Sequence, residues 1–173
     1  MPVLAATTRR DAQVHRYPVL VYALVPLVAI VLQAWLPRAL GRFSWFDFPL
    51  VVTVFFALGR RSPMRGMFLG AALGIFQDAL THHAIGINGI AKTVVGYLAA
   101  SIGVRIDVEN PSIRIALVFI FSLLSSALYI FVYSVLLGLT LQPDWLGQLY
   151  TAIGNSVIAL ATFPLLDRFR LTD

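Results

Sequence analysis

The sequence predicts an all-α integral membrane protein, a compact bundle of about six transmembrane helices. Of its 173 residues, 59% are hydrophobic and only 12% are charged, and the mean hydropathy is +0.84. A soluble domain of ordinary composition has about 25% charged residues, roughly twice this fraction. The apolar residues also fall into six runs, most of them near the length of about 20 residues that crosses a bilayer as a helix.

Each of the six runs is a predicted span. They are residues 18–36, 45–58, 64–80, 85–106, 113–141 and 146–166. Pro18 suits the start of the first span, and Pro26 predicts a mild kink within it. The second span is short and begins with aromatic residues, which indicates an oblique entry, whereas the fifth is long enough to tilt. Residues 18–167 are thus expected to form one transmembrane domain between polar tails at 1–17 and 168–173. No small-residue cleavage site follows the first apolar run, so this run is expected to be a first span and not a cleaved signal peptide.

The arginines predict the orientation, because short cytoplasmic loops retain Lys and Arg. Ten arginines fall on one side of the predicted topology, and Arg38 and Arg42 fall on the other. The ten are Arg9, Arg10, Arg16, Arg60, Arg61, Arg65, Arg105, Arg114, Arg168 and Arg170. Both termini are therefore expected in the cytoplasm, which requires an even number of spans. The tryptophans support the same orientation, since Trp35, Trp45 and Trp145 all map to the outer interface, where aromatic side chains are enriched.

Glycine and charge distinguish the segment from residue 64 to residue 92. Gly66, Gly70 and Gly74 are spaced four apart, so on a helix they share one face and allow another backbone to approach closely. Asp78 continues the same series. This face is predicted to make a close contact, either within the bundle or with an external partner. The residues that open the following span are Gly86, Asn88 and Gly89.

Asp78 and Lys92 are the only ionisable side chains predicted well inside the spans, and charges within a membrane indicate functional residues. They are equidistant from Ile85 in the expected turn, so an antiparallel hairpin would place both about 10 Å deep at 1.5 Å per residue. One interpretation is a structural ion pair, or a lysine that extends to the interface. The other is a polar pocket to which Asn88 contributes.

The sequence offers no catalytic set, metal site or cofactor motif. It has no cysteine, no nucleophile beside a base and no phosphate-binding glycine loop. His82 and His83 point about 100° apart on a helix and lack a third ligand at a usual spacing, so no metal is assigned. The polar faces of the last two spans, which include Ser122 and Asn155, are predicted to join helices. The net charge of +5 is scattered between apolar runs and predicts no nucleic-acid binding.

Three stretches resemble the family of the bacterial rod shape-determining protein MreD. They are DFPL at 47–50, RGMFLGAALGIFQDAL at 65–80 and IGINGIAKTVVGYLA at 85–99. An acidic entry to the second span, a basic loop, a glycine-spaced helix ending in Gln-Asp and a Gly-x-Asn-Gly turn follow in the family's order. Lys92 does not match the family's pattern. The residues that do are Gly66, Gly70, Gly74, Asp78 and Gly86.

The resemblance implies a non-enzymatic membrane component of the cell-elongation complex, which binds MreC and helps to maintain rod shape by supporting peptidoglycan synthesis. It also implies MreB, RodA, a class B penicillin-binding protein and membrane lipid as partners, and no cofactor. The implied location is the bacterial inner membrane, as a multi-pass protein. With the charge argument added, the residues expected to bind partners or pack helices are Gly66, Gly70, Gly74, Asp78, Gly86, Asn88, Gly89 and Lys92.

The alternative is a small-solute-binding membrane subunit of a vitamin-type transporter, because the family is similar in architecture to those subunits. They resemble one another in an Ala-x-x-x-Ala docking pattern on the first helix. In this sequence Ala23 is followed four positions later by Leu27, and Ala29 by Gln33, so the pattern is absent.

Overall fold

The computed structural model describes residues 17–40, 46–81, 84–106, 108, 110–138 and 144–171. Within these ranges the regular structure is all-helical, which confirms the predicted class. The helices are α1 (Val19–Leu40), α2 (Phe48–Arg60), α3 (Pro63–Thr81), α4 (Ile87–Gly103), α5 (Pro111–Leu137) and α6 (Trp145–Asp167). Among them, α1, α5 and α6 are long and apolar enough to cross a membrane, and α2 is a shorter apolar helix of 13 residues.

The helices begin and end near the bounds of the predicted spans. Helix α2 begins at Phe48 because Asp47 is its N-cap residue. Helix α4 ends at Gly103, about one turn before the predicted end of the fourth span. The predicted bounds at Trp45 and Leu141 lie outside the described residues. That all six helices cross the bilayer stays a prediction.

Helix α2 lies at the centre of the bundle. Every residue from Pro49 to Gly59 is buried, and the helix contacts each of the other five helices. The segment between Asp47 and Arg60 contains no charged side chain, and a helix that is apolar on every face suits a buried position. The hydroxyl of Thr53 donates to the carbonyl of Pro49 at 2.7 Å, so its polarity is satisfied within the helix.

The helices alternate in direction along the chain. Asn155 lies beside Asp47, and the Phe163 ring lies 5.0 Å from that of Phe55, so α6 runs parallel to α2. Helix α4 runs the same way, whereas α1, α3 and α5 run in the opposite direction. The end at which α1, α3 and α5 begin is called the arginine-rich end here. It carries Arg60, Arg61, Arg65, Arg105, Arg114, Arg168 and Arg170.

Helices α3 and α4 form an antiparallel hairpin in direct backbone contact. A Cβ atom added to Gly66, Gly70 or Gly74 would lie closer than 3.0 Å to backbone atoms of α4. Those atoms belong, in the same order, to Gly96, Lys92 and Asn88. Gly89 faces the side chain of Ile75 in the same contact. The close contact predicted for the glycine face is therefore present, and the neighbour is a helix of the same chain.

Candidate functional site

Seven polar side chains in the half of the bundle away from the arginine-rich end are joined by hydrogen bonds to one another or to the backbone at the start of α2. Asp78, Lys92 and Asn155 are completely buried, at 0% exposure. A buried polar group without a partner is costly, so such a cluster persists only when its members satisfy one another. Every helix contributes a member, with the N-cap residue counted for α2. We call the set the polar network; it comprises Gln33, Asp47, Asp78, Asn88, Lys92, Ser122 and Asn155.

The carboxylate of Asp47 has two partners on different helices. Its Oδ1 atom accepts a hydrogen bond from the backbone N–H of Leu50 at 3.0 Å and so caps α2. Its Oδ2 atom accepts from the Nζ atom of Lys92 at 2.7 Å, which forms an ion pair with α4. One side chain therefore both starts the central helix and fixes it to a neighbour.

The other N–H groups at the start of α2 are satisfied by two further helices. The N–H of Asp47 donates to Oδ1 of Asn155 on α6 at 2.8 Å, and the N–H of Phe48 donates to Oε1 of Gln33 on α1 at 3.1 Å. The next residue, Pro49, has no N–H to satisfy. The first turn of a helix leaves its N–H groups without partners in the helix itself, and here the polar network supplies them.

Asp78 caps the start of α4 from the end of α3. The N-cap residue of α4 is Gly86, whose φ of 104° favours glycine and whose missing side chain cannot cap the helix. The Oδ2 atom of Asp78 accepts from the N–H groups of Gly86 at 2.9 Å and Asn88 at 3.0 Å. Its Oδ1 atom accepts from Nδ2 of Asn88 at 2.7 Å. A carboxylate in this position is also stabilised by the helix dipole.

Lys92 lies between Asp47 and Asn88. Its Nζ atom donates to Asp47 and, at 3.2 Å, to Oδ1 of Asn88. Asn88 thus links the two charged groups, because its Nδ2 atom donates to Asp78 while its Oδ1 atom accepts from the lysine. Two carboxylates and one ammonium leave one negative charge, and the N-termini of α2 and α4 each offset about half a charge. The network is therefore close to electrically balanced by the chain itself.

The predicted direct ion pair between Asp78 and Lys92 is wrong. Lys92 pairs with Asp47, and its complete burial also excludes a lysine that extends to the interface. The error lies in the assumed register of the hairpin. Gly70 is level with Lys92, so the hairpin is centred near Thr81 and not at the predicted turn. Asp78 lies eight residues beyond Gly70 on α3, so Asp78 and Lys92 are about 12 Å apart along the helix axis.

A polar cavity of about 100 Å³ adjoins the network between α2, α4, α5 and α6. Asp47, Asn88 and Ser125 are among its lining residues. Asn88 contributes to it as the other interpretation expected, but Asp78 and Lys92 do not line it. Asn155 also lines it and donates to the hydroxyl of Ser122 at 3.0 Å. A water molecule needs about 10–15 Å³ of such space, whereas small-molecule pockets measure about 300–1,000 Å³. The cavity therefore has room for a few water molecules or a very small polar group.

A second ion pair, between a buried arginine and a partly exposed carboxylate, lies toward the arginine-rich end. Arg114 donates from Nη1 to Oδ2 of Asp167 at 2.5 Å, and its guanidinium lies 4.6 Å from the ring centre of Phe163 and 5.2 Å from that of Phe55. The hydroxyl of Tyr17 donates to Oδ1 of Asp167 at 3.1 Å. Burial, followed by the charge of Asp167, raises the pKa of Tyr17 above its ordinary value of 10.0.

Several of these residues could not be assigned from the sequence. Asp47 lies two residues before a proline at the start of an apolar run, which is typical of an N-cap but does not indicate its lysine partner. Arg114 contributes only to the predicted orientation, and Asp167 has no predicted role. His82 and His83 lie outside the described residues. In the part of the chain that the structure does describe, no group of three or more side chains could hold a metal ion.

Apolar helices of membrane-spanning length, joined by ion pairs and hydrogen bonds of buried charged side chains, define a helical membrane protein. The family model described as MreD, rod shape-determining protein MreD, matches residues 14–169, nearly the whole chain. The chain therefore belongs to the MreD family, as the resemblance predicted. No curated protein and no solved structure matches it. The expected similarity in architecture to vitamin-transporter subunits thus stays a prediction.

Proposed function

We propose that this chain is a non-enzymatic scaffold in the bacterial cell-elongation complex, where it binds MreC and supports the peptidoglycan synthesis that maintains rod shape. MreB, RodA and a class B penicillin-binding protein are proposed as further members of the assembly. The family match over residues 14–169 carries this proposal, because MreD is a shape-determining membrane component.

The polar network supports a structural role for the buried charges. General acid–base catalysis needs a group within hydrogen-bond reach of a substrate. Asp47 instead caps α2 and pairs with Lys92, and Asp78 caps α4. We propose that these residues hold the α3–α4 hairpin and its neighbours in the shape that MreC binds. The glycines of the hairpin act in the same way, by bringing the two backbones together.

We also propose that all six helices cross the inner membrane, with both termini in the cytoplasm. The alternating helix directions and the arginine-rich end support this orientation. At 1.5 Å per residue, α2 is only about 20 Å long, less than the hydrocarbon core of about 30 Å. Because α2 is enclosed by other helices, it does not itself have to match the thickness of the lipid. Reporter fusions after Asp144 and Asp173 should report opposite sides, and the same side at both would contradict the topology.

The alternative, a solute-binding subunit of a vitamin-type transporter, is less well supported. The polar cavity of about 100 Å³ is well below the usual volume of a small-molecule pocket. Purification of the full chain with and without co-expressed MreC, followed by mass spectrometry, tests both functions. Stable co-elution with MreC and no bound small molecule supports the scaffold. A stoichiometric small molecule without MreC binding would favour the transporter subunit.

A further inference from the structure

A groove of about 410 Å³ opens between α1, α2 and α3 at the arginine-rich end. Phe56, Phe68 and Leu69 form much of its apolar wall, and Arg60 and Arg65 also line it. Phe68 is 63% exposed, so the wall is open to the surroundings of the bundle. The groove shares no residue with the polar network or with the second ion pair.

The two guanidinium groups of the groove are not neutralised by the described part of the chain. Within those ranges, no carboxylate forms an ion pair with Arg60 or Arg65. Arg60 lies over the ring of Tyr22 at 4.5 Å from its centre, a contact that orients the guanidinium. Arg114, by contrast, is paired with Asp167. The N-terminus of α3 adds the positive end of a helix dipole near these two arginines.

We propose that this groove binds one anionic phospholipid, with the phosphate on Arg60 and Arg65 and an acyl chain along Phe56, Phe68 and Leu69. A guanidinium presents paired N–H donors that match phosphate oxygens. A soluble anion would leave the apolar wall unused, and an apolar helix of a partner would leave the two arginines without a counter-charge. In the proposed orientation the groove opens in the cytoplasmic leaflet, where basic pockets between helices bind anionic headgroups.

Native mass spectrometry of the full-length protein in detergent, titrated with phosphatidylglycerol or phosphatidylcholine, tests the site. The unchanged protein should bind one phosphatidylglycerol in preference to phosphatidylcholine. Replacing both arginines, Arg60→Gln with Arg65→Gln, should weaken that binding on the order of tenfold, given the contribution of each basic residue near an anionic lipid. The matched control is Arg105→Gln with Arg168→Gln. It removes the same charge from exposed positions at the same end and should leave binding unchanged.

The apolar wall is tested separately by two phenylalanines on α3. Phe68→Ala should weaken phosphatidylglycerol binding, whereas Phe76→Ala, at a similar exposure of 59% but outside the groove, should not. These two variants still decide the question if the double arginine variant does not fold, which thermal melting will show. Glycerol phosphate, which has no acyl chain, should not displace the lipid.

Three results would overturn the lipid site. They are equal binding of the two phospholipids, equal weakening by the two arginine double variants, and displacement of the lipid by glycerol phosphate. An equal effect of Phe68→Ala and Phe76→Ala would overturn the acyl-chain contact. None of these outcomes depends on MreC, so the site can fail while the scaffold function holds.

Discussion

Within the described residues, each half of the bundle contains one ion pair with a buried cation, and the two pairs are built differently. Lys92 is completely buried and bonds to oxygen atoms of Asp47 and Asn88. Arg114 bonds to Asp167, and its guanidinium lies against the rings of Phe55 and Phe163, which also contact each other. The carboxylate side chain is 18% exposed for Asp47 and 31% exposed for Asp167. The lysine pair is therefore the more completely removed from solvent.

The chemistry of the two cations explains the difference. A lysine ammonium is a compact, strongly hydrated charge with three donors, so burial requires several oxygen acceptors around it. A guanidinium is planar and more weakly hydrated, and its faces make favourable contacts with aromatic rings. Burying Lys92 thus requires a network that reaches several helices, whereas Arg114 needs one carboxylate and two rings. We call the half of the bundle that contains Lys92 the lysine half. Substitutions there are expected to lower the stability of the protein much more than substitutions around Arg114.

The largest expected effect tests whether the lysine half depends on backbone contact between α3 and α4. Gly70 faces the carbonyl of Lys92, so a side chain there would displace α4 and move Lys92 away from Asp47. We expect Gly70→Leu to destabilise the protein by more than about 4 kcal/mol and to yield little folded material. Yield in size-exclusion chromatography and thermal melting in detergent measure the loss. The control is Ala72→Leu, at an exposed position on the same helix, and an equal loss there would contradict the contact.

The next effect tests the ion pair itself by a double-mutant cycle. Lys92→Met leaves the carboxylate of Asp47 without its counter-ion, at an expected cost of roughly 3 to 5 kcal/mol in the free energy of unfolding. Asp47→Asn retains a capping side chain but strands the buried ammonium, so it should also be costly. The double variant should recover much of the loss, because neither charge remains. Additive losses would show that the two groups do not interact.

Asp78→Asn provides the comparison for this cycle. Asp78 reaches Lys92 only through Asn88, so the coupling between Asp78→Asn and Lys92→Met should be clearly smaller than that between Asp47→Asn and Lys92→Met. Equal couplings would mean that the network, and not the direct pair, stabilises the buried lysine. Unfolding of all variants in the same detergent measures both couplings.

Much of the fold could be predicted because helix length, apolar runs and caps are local properties of the sequence. Asn110 and Asp144 lie where α5 and α6 begin, and the side chain of each accepts a hydrogen bond from the first turn of its helix. The four-residue glycine spacing likewise predicts a close helix contact, since it depends only on helical geometry. These features do not depend on how distant parts of the chain meet.

The candidate site could be predicted only in part, because its pairing depends on distant contacts. Asp78 and Lys92 are recognisable from the sequence as charges inside apolar runs. Their partners depend on the register of the hairpin, where a shift of a few residues moves a side chain by several ångströms. The partner of Lys92 is also 45 residues away, and the partner of Arg114 is 53 residues away. No local pattern in the sequence carries that information.

A smaller loss is expected when the arginine pair is broken. Because Asp167 is partly exposed, water can solvate its carboxylate after Arg114 is removed. We expect Arg114→Met to cost roughly 1 to 3 kcal/mol, less than Lys92→Met. Arg105→Met removes an exposed arginine from the same end and should stay within about 0.5 kcal/mol of the unchanged protein. If Arg114→Met proved as damaging as Lys92→Met in parallel melts, the difference between the two halves would be refuted.

The smallest expected effect concerns the hydroxyl of Tyr17, which donates to Asp167 beside the arginine pair at 3.1 Å. Tyr17 is 5% exposed, and Tyr17→Phe removes this hydrogen bond while leaving the ring in its contact with Phe55 and Phe56. We expect a loss of about 0.5 to 1.5 kcal/mol at pH 7, the usual net contribution of one hydrogen bond. Thermal melting measures it, and Tyr97→Phe, at a half-exposed position, controls for the loss of a tyrosine.

The loss of stability caused by Tyr17→Phe depends on pH, and the direction of that dependence follows from the pKa of Tyr17. Burial and then the charge of Asp167 raise this pKa above 10.0, so the folded protein retains the phenol proton at a pH where the unfolded chain has lost it. The contribution of Tyr17 to the free energy of unfolding is therefore fully present below about pH 10. It falls as the pH rises from there toward the pKa of the folded state. The difference in Tm between the unchanged protein and Tyr17→Phe should shrink as the pH rises from about 9 to about 11. A difference that stayed constant or grew over this range would show that the hydroxyl does not keep its proton on folding.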